Sequence, residues 1–383
     1  MSVTTPRGFR ASGVHAGLRS TSGPDVALVV NDGPLDVVAA TYTSNRCQAN
    51  PVQWSLDVTA DGRARAVVLN AGGANCYTGP VGYATTIATA ERVGIRLGIG
   101  PTDVVVCSTG LIGAVLDRER LLAGVDRAVD ALTSAGGADA AAAIMTTDTR
   151  VKTAQFDGPG FRVGGMAKGA GMLAPALATM LVVVTTDAAV DPATADLALR
   201  EACRLTFDRL DSDGCQSTND TVVLMASGAS GAEASLHELT GAVTTVCRDL
   251  AEQLISDAEG SEHDIAITVL GAATEADALE VGRAVARSNL VKTAVFGRDP
   301  NWGRILAAVG TSSAAFDPAE LDVTINGVMV CRDGGIGDPS DGVELGPRAV
   351  DVVIDLKVGS EAATIWTNDL THAYVHENSA YST

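Results

Sequence analysis

The sequence predicts an α+β fold in which helices are layered on mixed β-sheets. Apolar, β-branched runs such as Val26–Val30, Ala66–Asn70 and Thr179–Val184 have the length and composition of buried strands. Longer segments with helical periodicity lie between such runs, and in Leu236–Leu254 the apolar residues recur on one face over about five turns. No internal repeat or obvious linker interrupts this order. The pattern therefore favours helices on sheets over a helical bundle or a simple β-sandwich.

The first half of the chain begins with short strands bounded by Gly, Pro, Asn or Asp, and helices follow where leucine and valine recur on one face. The predicted strands are Val26–Val30, Val37–Tyr42, Ala66–Asn70 and Val104–Cys107, and the predicted helices are Gly82–Leu97, Leu116–Leu132 and the Ala-rich Gly136–Ile144. The segment Gly164–Gly171 is rich in glycine and predicts a tight turn or a flexible stretch.

The second half opens with the strand Thr179–Val184 and repeats the alternation. Asp191 and Pro192 form a cap and first position for a helix that we expect to run to about Asp208. Thr274 is a second cap, because acidic residues follow it in the first turn. The remaining predicted strands are Val222–Ala226, Val352–Leu356, Ala363–Trp366 and the half-exposed strand Ile265–Val269, in which apolar residues alternate. The remaining predicted helices are Leu236–Leu254 and Thr274–Asn289.

Composition excludes several classes of protein. The net charge of −19 over 383 residues argues against a nucleic-acid partner, since phosphate binding needs clustered Lys and Arg. The seven cysteines are scattered with no C-x-x-C pair, and the five histidines lack metal-ligand spacing, so neither a disulfide framework nor a metal site is expected. No signal peptide and no membrane span are predicted, and the expected compartment is the cytoplasm.

Familiar catalytic motifs are absent, but one threonine has a suitable setting for catalysis without histidine. There is no G-x-S-x-G elbow, P-loop or dinucleotide fingerprint. A threonine at a chain terminus can use its own α-amino group as the base. Thr179 follows the small Ala178, precedes a strand and lies shortly after glycine-rich sequence, as cleavage at Ala178–Thr179 would require. Local sequence alone favours an ordinary strand threonine at this position.

Several long motifs, in order along nearly the whole chain, resemble the ornithine acetyltransferase family. They are Asn70–Gly79 (NAGGANCYTG), Cys107–Gly113 (CSTGLIG), Ala143–Thr149 (AIMTTDT), Gly164–Leu181, Ser217–Thr221 (STNDT), Lys292–Arg304 (KTAVFGRDPNWGR) and Glu377–Thr383 (ENSAYST). The resemblance implies an N-terminal-nucleophile-type α/β/β/α sandwich with a second, smaller α/β lobe. It also implies a glutamate N-acetyltransferase of arginine biosynthesis.

The resemblance implies autocatalytic cleavage into an α chain, residues 1–178, which carries the oxyanion hole, and a β chain, residues 179–383. The two are expected to remain interwoven and to assemble as two α and two β chains. Thr179 then takes the acetyl group of N2-acetylornithine and passes it to glutamate in a ping-pong reaction. No cofactor is implied, although acetyl-CoA is an alternative acetyl donor.

The family also implies roles for individual residues. Thr109 and Gly110 form the oxyanion hole, Lys168 meets a carboxylate, and Glu259 meets an ammonium group. Further hydrogen bonds to the substrate are expected from Thr146 or Thr147, which the sequence does not distinguish, and from Asn378 and Thr383. The position of Asn378 and Thr383 near the end of the chain predicts that the tail folds over the pocket.

The chain departs from the family pattern after Gly260. A small residue, Thr and Lys are usual there, whereas this chain has Ser261, Glu262 and His263. This change either is surface variation or alters the choice of amino acid. Other functions compatible with the sequence are a bifunctional enzyme that also uses acetyl-CoA, an N-terminal-nucleophile aminopeptidase or amidase, and a binding protein that has lost its chemistry.

Overall fold

The computed structural model describes residues 2–20, 22–172 and 180–380. In these ranges the strands are β1 (Phe9–Val14), β2 (Val26–Asn31), β3 (Val37–Tyr42), β4 (Ala66–Asn70), β5 (Val104–Ser108), β6 (Lys152–Asp157), β7 (Arg162–Lys168), β8 (Leu181–Thr186), β9 (Thr221–Ala226), β10 (Asp264–Ala272), β11 (Asp322–Ile325), β12 (Val328–Arg332), β13 (Gly335–Ile336), β14 (Ala349–Asp355) and β15 (Glu361–Asn368). The helices are α1 (Asn50–Val58), α2 (Gly79–Leu97), α3 (Arg118–Asp130), α4 (Gly137–Ala143), α5 (Pro192–Leu205), α6 (Leu236–Ile255), α7 (Glu275–Ala286), α8 (Asn289–Phe296), α9 (Trp302–Val309) and α10 (His372–Ala380).

Two stacked sheets form the centre of the molecule. One has the strand order β1-β2-β4-β5 and the other β3-β9-β8-β7-β6. The buried residues of β8 divide by alternation, with Leu181 and Val183 packing between the two sheets and Val182 and Val184 packing beneath α5 and α6. Because both faces of β8 are covered, its sequence is a nearly continuous run of apolar residues.

The four-stranded sheet β1-β2-β4-β5 is also covered on both faces. In β2, Ala27 and Val29 face the space between the sheets, whereas Val26, Leu28 and Val30 pack beneath α2 and α3. The layers are therefore helix, sheet, sheet and helix. The predicted α+β class and the α/β/β/α sandwich are confirmed.

The smaller lobe is built differently. Its six strands follow the order β13-β12-β11-β14-β10-β15, and α7, α8 and α9 cover one face. In β10, Ile265, Ile267 and Val269 are buried under these helices, while Ala266 and Thr268 on the other face are partly exposed. This one-sided burial produces the alternating pattern by which the sequence predicted the strand.

The prediction of a turn or flexible stretch at Gly164–Gly171 was wrong over its first half. Residues 162–168 form β7, which pairs with both β6 and β8. A Cβ on Gly164 would lie 2.1 Å from the carbonyl oxygen of Ser2, and one on Gly165 would lie 2.8 Å from Val246. The glycines therefore allow other parts of the chain to pack closely against a strand. A prediction that takes glycine only as a sign of flexibility does not consider this role.

Several helix boundaries also differ from the predictions. The helix predicted over Thr274–Asn289 is α7, which ends three residues early at Ala286, and the hydroxyl of Ser288 caps the next helix. The helix opened by Asp191 ends at Leu205, before a 3₁₀ turn. Strands β1, β6, β7 and β11–β13 and helices α1, α8, α9 and α10 were not predicted. Most of these are short, so their periodicity is weak.

Candidate active site

A cavity of about 460 Å³ lies where the chain leaves β5 and β7 and where α10 approaches the end of α6. Its lining includes every described residue to which the resemblance gave a role. These are Thr109, Gly110, Thr146, Thr147, Lys168, Glu259 and Asn378. Both candidate threonines, Thr146 and Thr147, line it. Ala178, Thr179 and Thr383 lie outside the described residues.

The turn after β5 presents a backbone donor to the cavity. The N–H of Thr109 donates to the Asn70 carbonyl at 2.9 Å, and the N–H of Gly73 donates to the Thr109 carbonyl at 2.9 Å. Gly110 has φ +123°, and a Cβ there would lie 2.9 Å from the backbone of Gly73. Only glycine fits this position without strain. Among the described residues no acceptor takes the Gly110 N–H, which leaves this donor available to a ligand.

The turn after β5 does not cap a helix. Helix α3 begins only at Arg118, and the carboxylate of Asp117 caps it by accepting from the Arg120 N–H. The loop between Gly110 and Asp117 separates the turn from that helix. The conformation of Gly110 therefore serves the approach to the Asn70–Gly79 segment and not the start of α3.

Lys168, the last residue of β7, contacts the same turn. Its side chain is 1% exposed, and Nζ donates to Oγ1 of Thr109 at 3.2 Å. Because the Thr109 oxygen accepts this bond, its own O–H can donate into the cavity. Burial lowers the pKa of Lys168, and the negative charge of Asp148 partly opposes that shift.

A group of three buried charged residues, the buried triad of Asp148, Lys152 and Asp257, lies behind the cavity wall. Lys152 Nζ donates to Asp148 at 2.6 Å and to Asp257 at 2.5 Å. Burial alone would raise the pKa of Asp148, but the charges of Lys168 and Lys152 and the N–H of Gly169 outweigh it and lower the pKa to about 2. Sequence analysis missed the triad, although Asp148 lies within a quoted motif and four residues before Lys152.

Glu259 and Asn378 form the opposite wall. The Asn378 side-chain amide donates to Glu259 Oε2 at 3.1 Å. A Cβ on Gly171 would lie 2.8 Å from the Glu259 carboxylate, so glycine permits this approach. A Cβ on Gly260 would lie 2.2 Å from the backbone N of Tyr374 on α10. The tail thus lies along the cavity as far as the structure describes it, which agrees with the expectation from the sequence.

The start of β8 is anchored by a buried carboxylate. Met180, the residue after Thr179 in sequence, is fully buried, and its N–H donates to Asp220 Oδ1 at 3.0 Å. Burial raises the pKa of Asp220 well above its usual range, although the Met180 N–H and the charge of Lys168 act in the opposite direction. Asp220 lies within the quoted Ser217–Thr221 motif, but sequence analysis gave it no role.

The departure at Ser261, Glu262 and His263 does not reach the cavity lining. His263 is buried, and its Nδ1 lies 2.7 Å from Asp369 and its Nε2 3.1 Å from the Leu345 carbonyl. Glu262 is exposed and does not line the cavity. The histidine therefore ties the start of β10 to the segment after β15 and to Leu345 within the smaller lobe. The geometry favours surface variation over altered substrate choice at Glu262.

Neither a metal cluster nor a membrane helix occurs in the part of the chain that the structure describes. No three His, Cys, Asp or Glu side chains there are grouped closely enough to hold a metal ion. No described helix combines the length and apolarity needed to cross a bilayer. His372 and His376 lie on α10, and His372 packs edge-on against Phe296.

Comparison with known proteins identifies the family. Residues 10–383 match the ArgJ family. The Arginine biosynthesis bifunctional protein ArgJ of Streptomyces avermitilis is 58% identical over 382 residues, and that of Thermobifida fusca is 57% identical over 383, with 100% of each chain covered in both comparisons. A solved structure of ornithine acetyltransferase complexed with ornithine, from Mycobacterium tuberculosis, is 45% identical over 47% of this chain and 96% of its own, with a TM-score of 0.43. The chain belongs to the ArgJ family.

Proposed function

We propose that this protein moves the acetyl group of N2-acetylornithine to glutamate through an acetyl ester on Thr179. Membership of the ArgJ family makes it an acyltransferase of arginine biosynthesis. The observation that carries the finer proposal is that the pair Thr109 and Gly110 meets Lys168 and Glu259 at one cavity, although these three places are far apart in the sequence.

The proposed reaction has two halves with balanced atoms. The Thr179 hydroxyl oxygen attacks the acetyl carbonyl while its proton passes to the Thr179 α-amino group, and the C–N bond to ornithine breaks as that nitrogen is protonated. Glutamate then attacks the ester through its amine, the C–O bond breaks, and the threonine hydroxyl is restored. In both halves negative charge develops on the acetyl oxygen, where the Thr109 O–H and the Gly110 N–H donate.

The charges of the cavity support an amino acid as substrate. Lys168 supplies a positive charge and Glu259 a negative one, and Thr146, Thr147 and Asn378 add hydrogen-bonding groups. A cavity of about 460 Å³ is of the size that holds a small metabolite. Acetylornithine offers a carboxylate and an ammonium group to these side chains.

Self-cleavage at Ala178–Thr179 fits the sheet topology. The five-stranded sheet combines β3, β6 and β7 of residues 1–178 with β8 and β9 of residues 179–383. The ladders β7–β8 and β3–β9 cross between the two fragments, so they would stay together after cleavage. We further propose an assembly of two α and two β chains in the cytoplasm.

A second activity is the acetylation of glutamate from acetyl-CoA, without a resident cofactor. The relatives that carry the name bifunctional protein favour it. Acetyl-CoA would enter the reaction at the same threonine, and its thiol would leave in place of ornithine. Continuous release of free CoA over many turnovers that depends on both glutamate and Thr179 would establish this activity, whereas continuous release without glutamate would indicate simple hydrolysis of the acetyl-enzyme.

Intact-mass analysis of the purified protein beside Thr179→Ala tests the mechanism. We expect two fragments that meet at Ala178–Thr179 in the wild type and one uncleaved chain in the variant. Acetylornithine should then add one acetyl group to the fragment that begins at Thr179, and glutamate should remove it. An active wild type that remains a single chain would overturn the proposal, and an acetyl-enzyme that hydrolyses as fast without glutamate would indicate an amidase.

The oxyanion hole is tested by Thr109→Ala with Thr109→Ser as its matched control. Loss of one such donor typically costs about 100- to 1,000-fold in kcat. We expect a loss of that size for the alanine variant, with little change in KM, while serine keeps the donor and most of the activity. Equal losses in both variants would argue that the threonine methyl group, and not the hydroxyl, is what matters.

A further inference from the structure

Asp148 links two parts of the cavity wall to the buried Lys152. Its Oδ2 accepts from the N–H of Thr146 at 3.0 Å, and its Oδ1 accepts from the N–H of Gly169 at 2.7 Å and from Lys152 Nζ at 2.6 Å. Gly169 directly follows Lys168 on β7. One carboxylate therefore holds both the loop of the candidate substrate threonines and the end of the strand that carries Lys168.

Asp257 extends this link to the Glu259 wall. It accepts from Lys152 Nζ, from the N–H of Thr149 at 3.1 Å and from the Thr149 hydroxyl. It lies two residues before Glu259 in the chain. The side chains of Asp148 and Lys152 have no exposed surface, and that of Asp257 is 5% exposed. Such an arrangement is costly to bury unless it is fully hydrogen-bonded.

The buried triad alone carries one excess negative charge, and Lys168 balances it. Asp148 and Asp257 contribute two negative charges, and Lys152 and Lys168 contribute two positive ones. The charge of Asp148 acts on Lys168, and Lys168 donates to Thr109. A continuous set of buried charges thus connects the Glu259 wall with the oxyanion-hole threonine.

We propose that Asp148 is a positioning residue for acetyl transfer, which keeps the Lys168 ammonium group charged and directed at the Thr109 hydroxyl. A charged donor on the Thr109 oxygen polarises the O–H that stabilises the oxyanion. Lys152 and Asp257 hold Asp148 in place. This inference rests on the proposed function, because it assigns a role within that reaction.

The proposal makes a prediction about pH because Lys168 must remain protonated. The ionisable groups that act on it are Asp148 and Lys152 behind it, Asp220 before β9 and Glu259 across the cavity. Burial and Lys152 lower its pKa, while Asp148, Asp220 and Glu259 raise it. Loss of Asp148 lowers the pKa of Lys168, so the decline in activity on the alkaline side of the pH profile, the alkaline limb, should begin at a lower pH. Loss of Lys152 should move this alkaline limb to a higher pH.

The experiment compares Asp148→Asn with Lys152→Gln in the release of ornithine from acetylornithine in a single turnover without glutamate. Rates are divided by the cleaved fraction measured by mass spectrometry. We expect the asparagine variant to lose about 10- to 100-fold in rate, with its alkaline limb displaced downward by at least about one pH unit. The glutamine variant should move the alkaline limb to a higher pH. A merely structural role for Asp148 would not produce opposite shifts in the two variants.

Asp322→Asn, in the smaller lobe, is the matched control, since that carboxylate also accepts from a lysine. It should keep the wild-type pH profile. Unchanged or same-direction limbs in the two variants would overturn the inference while leaving the proposed function intact. If Asp148→Asn does not fold, an unchanged limb in Lys152→Gln would suffice to overturn it. A wild-type protein that releases no ornithine would instead contradict the proposed function.

Discussion

Two regions of this molecule contain the same arrangement of one lysine between two aspartates. In the sandwich, Lys152 lies 2.6 Å from Asp148 and 2.5 Å from Asp257. In the smaller lobe, Lys357 lies 2.8 Å from Asp322 and 2.7 Å from Asp333. The distances are nearly equal, but the Lys152 side chain has no exposed surface and that of Lys357 is 30% exposed.

This comparison teaches that burial, and not contact distance, decides what such a group does. Water screens the lobe group, so it contributes little and can be lost at small cost. Bulk water does not reach the buried triad and cannot replace a missing partner, so each member depends on the others. The triad is also the group that contacts the candidate active site, where fixed charges act most strongly.

The largest expected difference is in stability after removal of the lysine. Lys152→Met would leave two buried carboxylates without their cation, and we expect a loss of about 3–5 kcal/mol in the free energy of unfolding. Lys357→Met should leave the unfolding midpoint within experimental error. Chemical denaturation followed by circular dichroism measures both.

A comparable loss in the two variants would break the comparison, because exposure would then not control the energy. A variant of Lys152 that does not accumulate as folded protein agrees with the expectation. In that case Lys152→Arg, which keeps the charge, should restore folded material. If arginine fails as well, the packing of the side chain and not its charge is the requirement.

The next difference is in the stability cost of shortening a leucine. It compares a sandwich sheet, which is covered on both faces, with the lobe sheet, which is covered on one face. Leu224 on β9 is fully buried between the sheet and its helices, and Leu270 on β10 is 38% exposed at the outer face of the lobe. We expect Leu224→Ala to cost about 2–5 kcal/mol and Leu270→Ala less than about 1 kcal/mol. The same denaturation experiment measures both. Equal losses would mean that the outer face of the lobe is packed against something in solution.

The smallest expected effect is on the pH dependence of stability and compares two aspartates. The folded-state pKa of Asp148 is lowered to about 2, so its contribution is present above pH ~4 and is lost as pH falls toward 2. Burial raises the pKa of Asp208, between the sandwich and the lobe, to about 6, despite Arg283 nearby. Its contribution is present below pH ~4 and is lost as pH rises through 6.

Asp148→Asn and Asp208→Asn should therefore change opposite parts of the stability profile, each by about 2 kcal/mol. The first removes part of the decline below pH 4, and the second removes part of the decline between pH 4 and 6. Thermal unfolding across this range, with each variant subtracted from the wild type, isolates the two contributions. Differences of the same sign in both windows would contradict the assigned directions.

Much of the fold followed from local sequence. The runs around Val26–Val30 and Val182–Val184 predict strands buried on both sides, and the alternation at Ile265–Val269 predicts one with a single buried face. Asp191 and Thr274 predict where helices begin, and the structure places caps at both. These features depend on each residue and its near neighbours, which is what a pattern along the chain records.

What the tertiary structure alone decided is which distant residues meet. Lys152 and Asp257 are 105 positions apart, and Lys168 and Thr109 are 59 apart. The local sequence around Gly164 suggests flexibility, but the residue lies in a strand. It is glycine there because the backbone of Ser2 passes against it and leaves no room for a side chain. By itself the sequence determined the family, the layered α+β class and the residues with candidate roles. The stacking of two sheets decided which charges are buried together, because burial depends on neighbours that periodicity along the chain does not record.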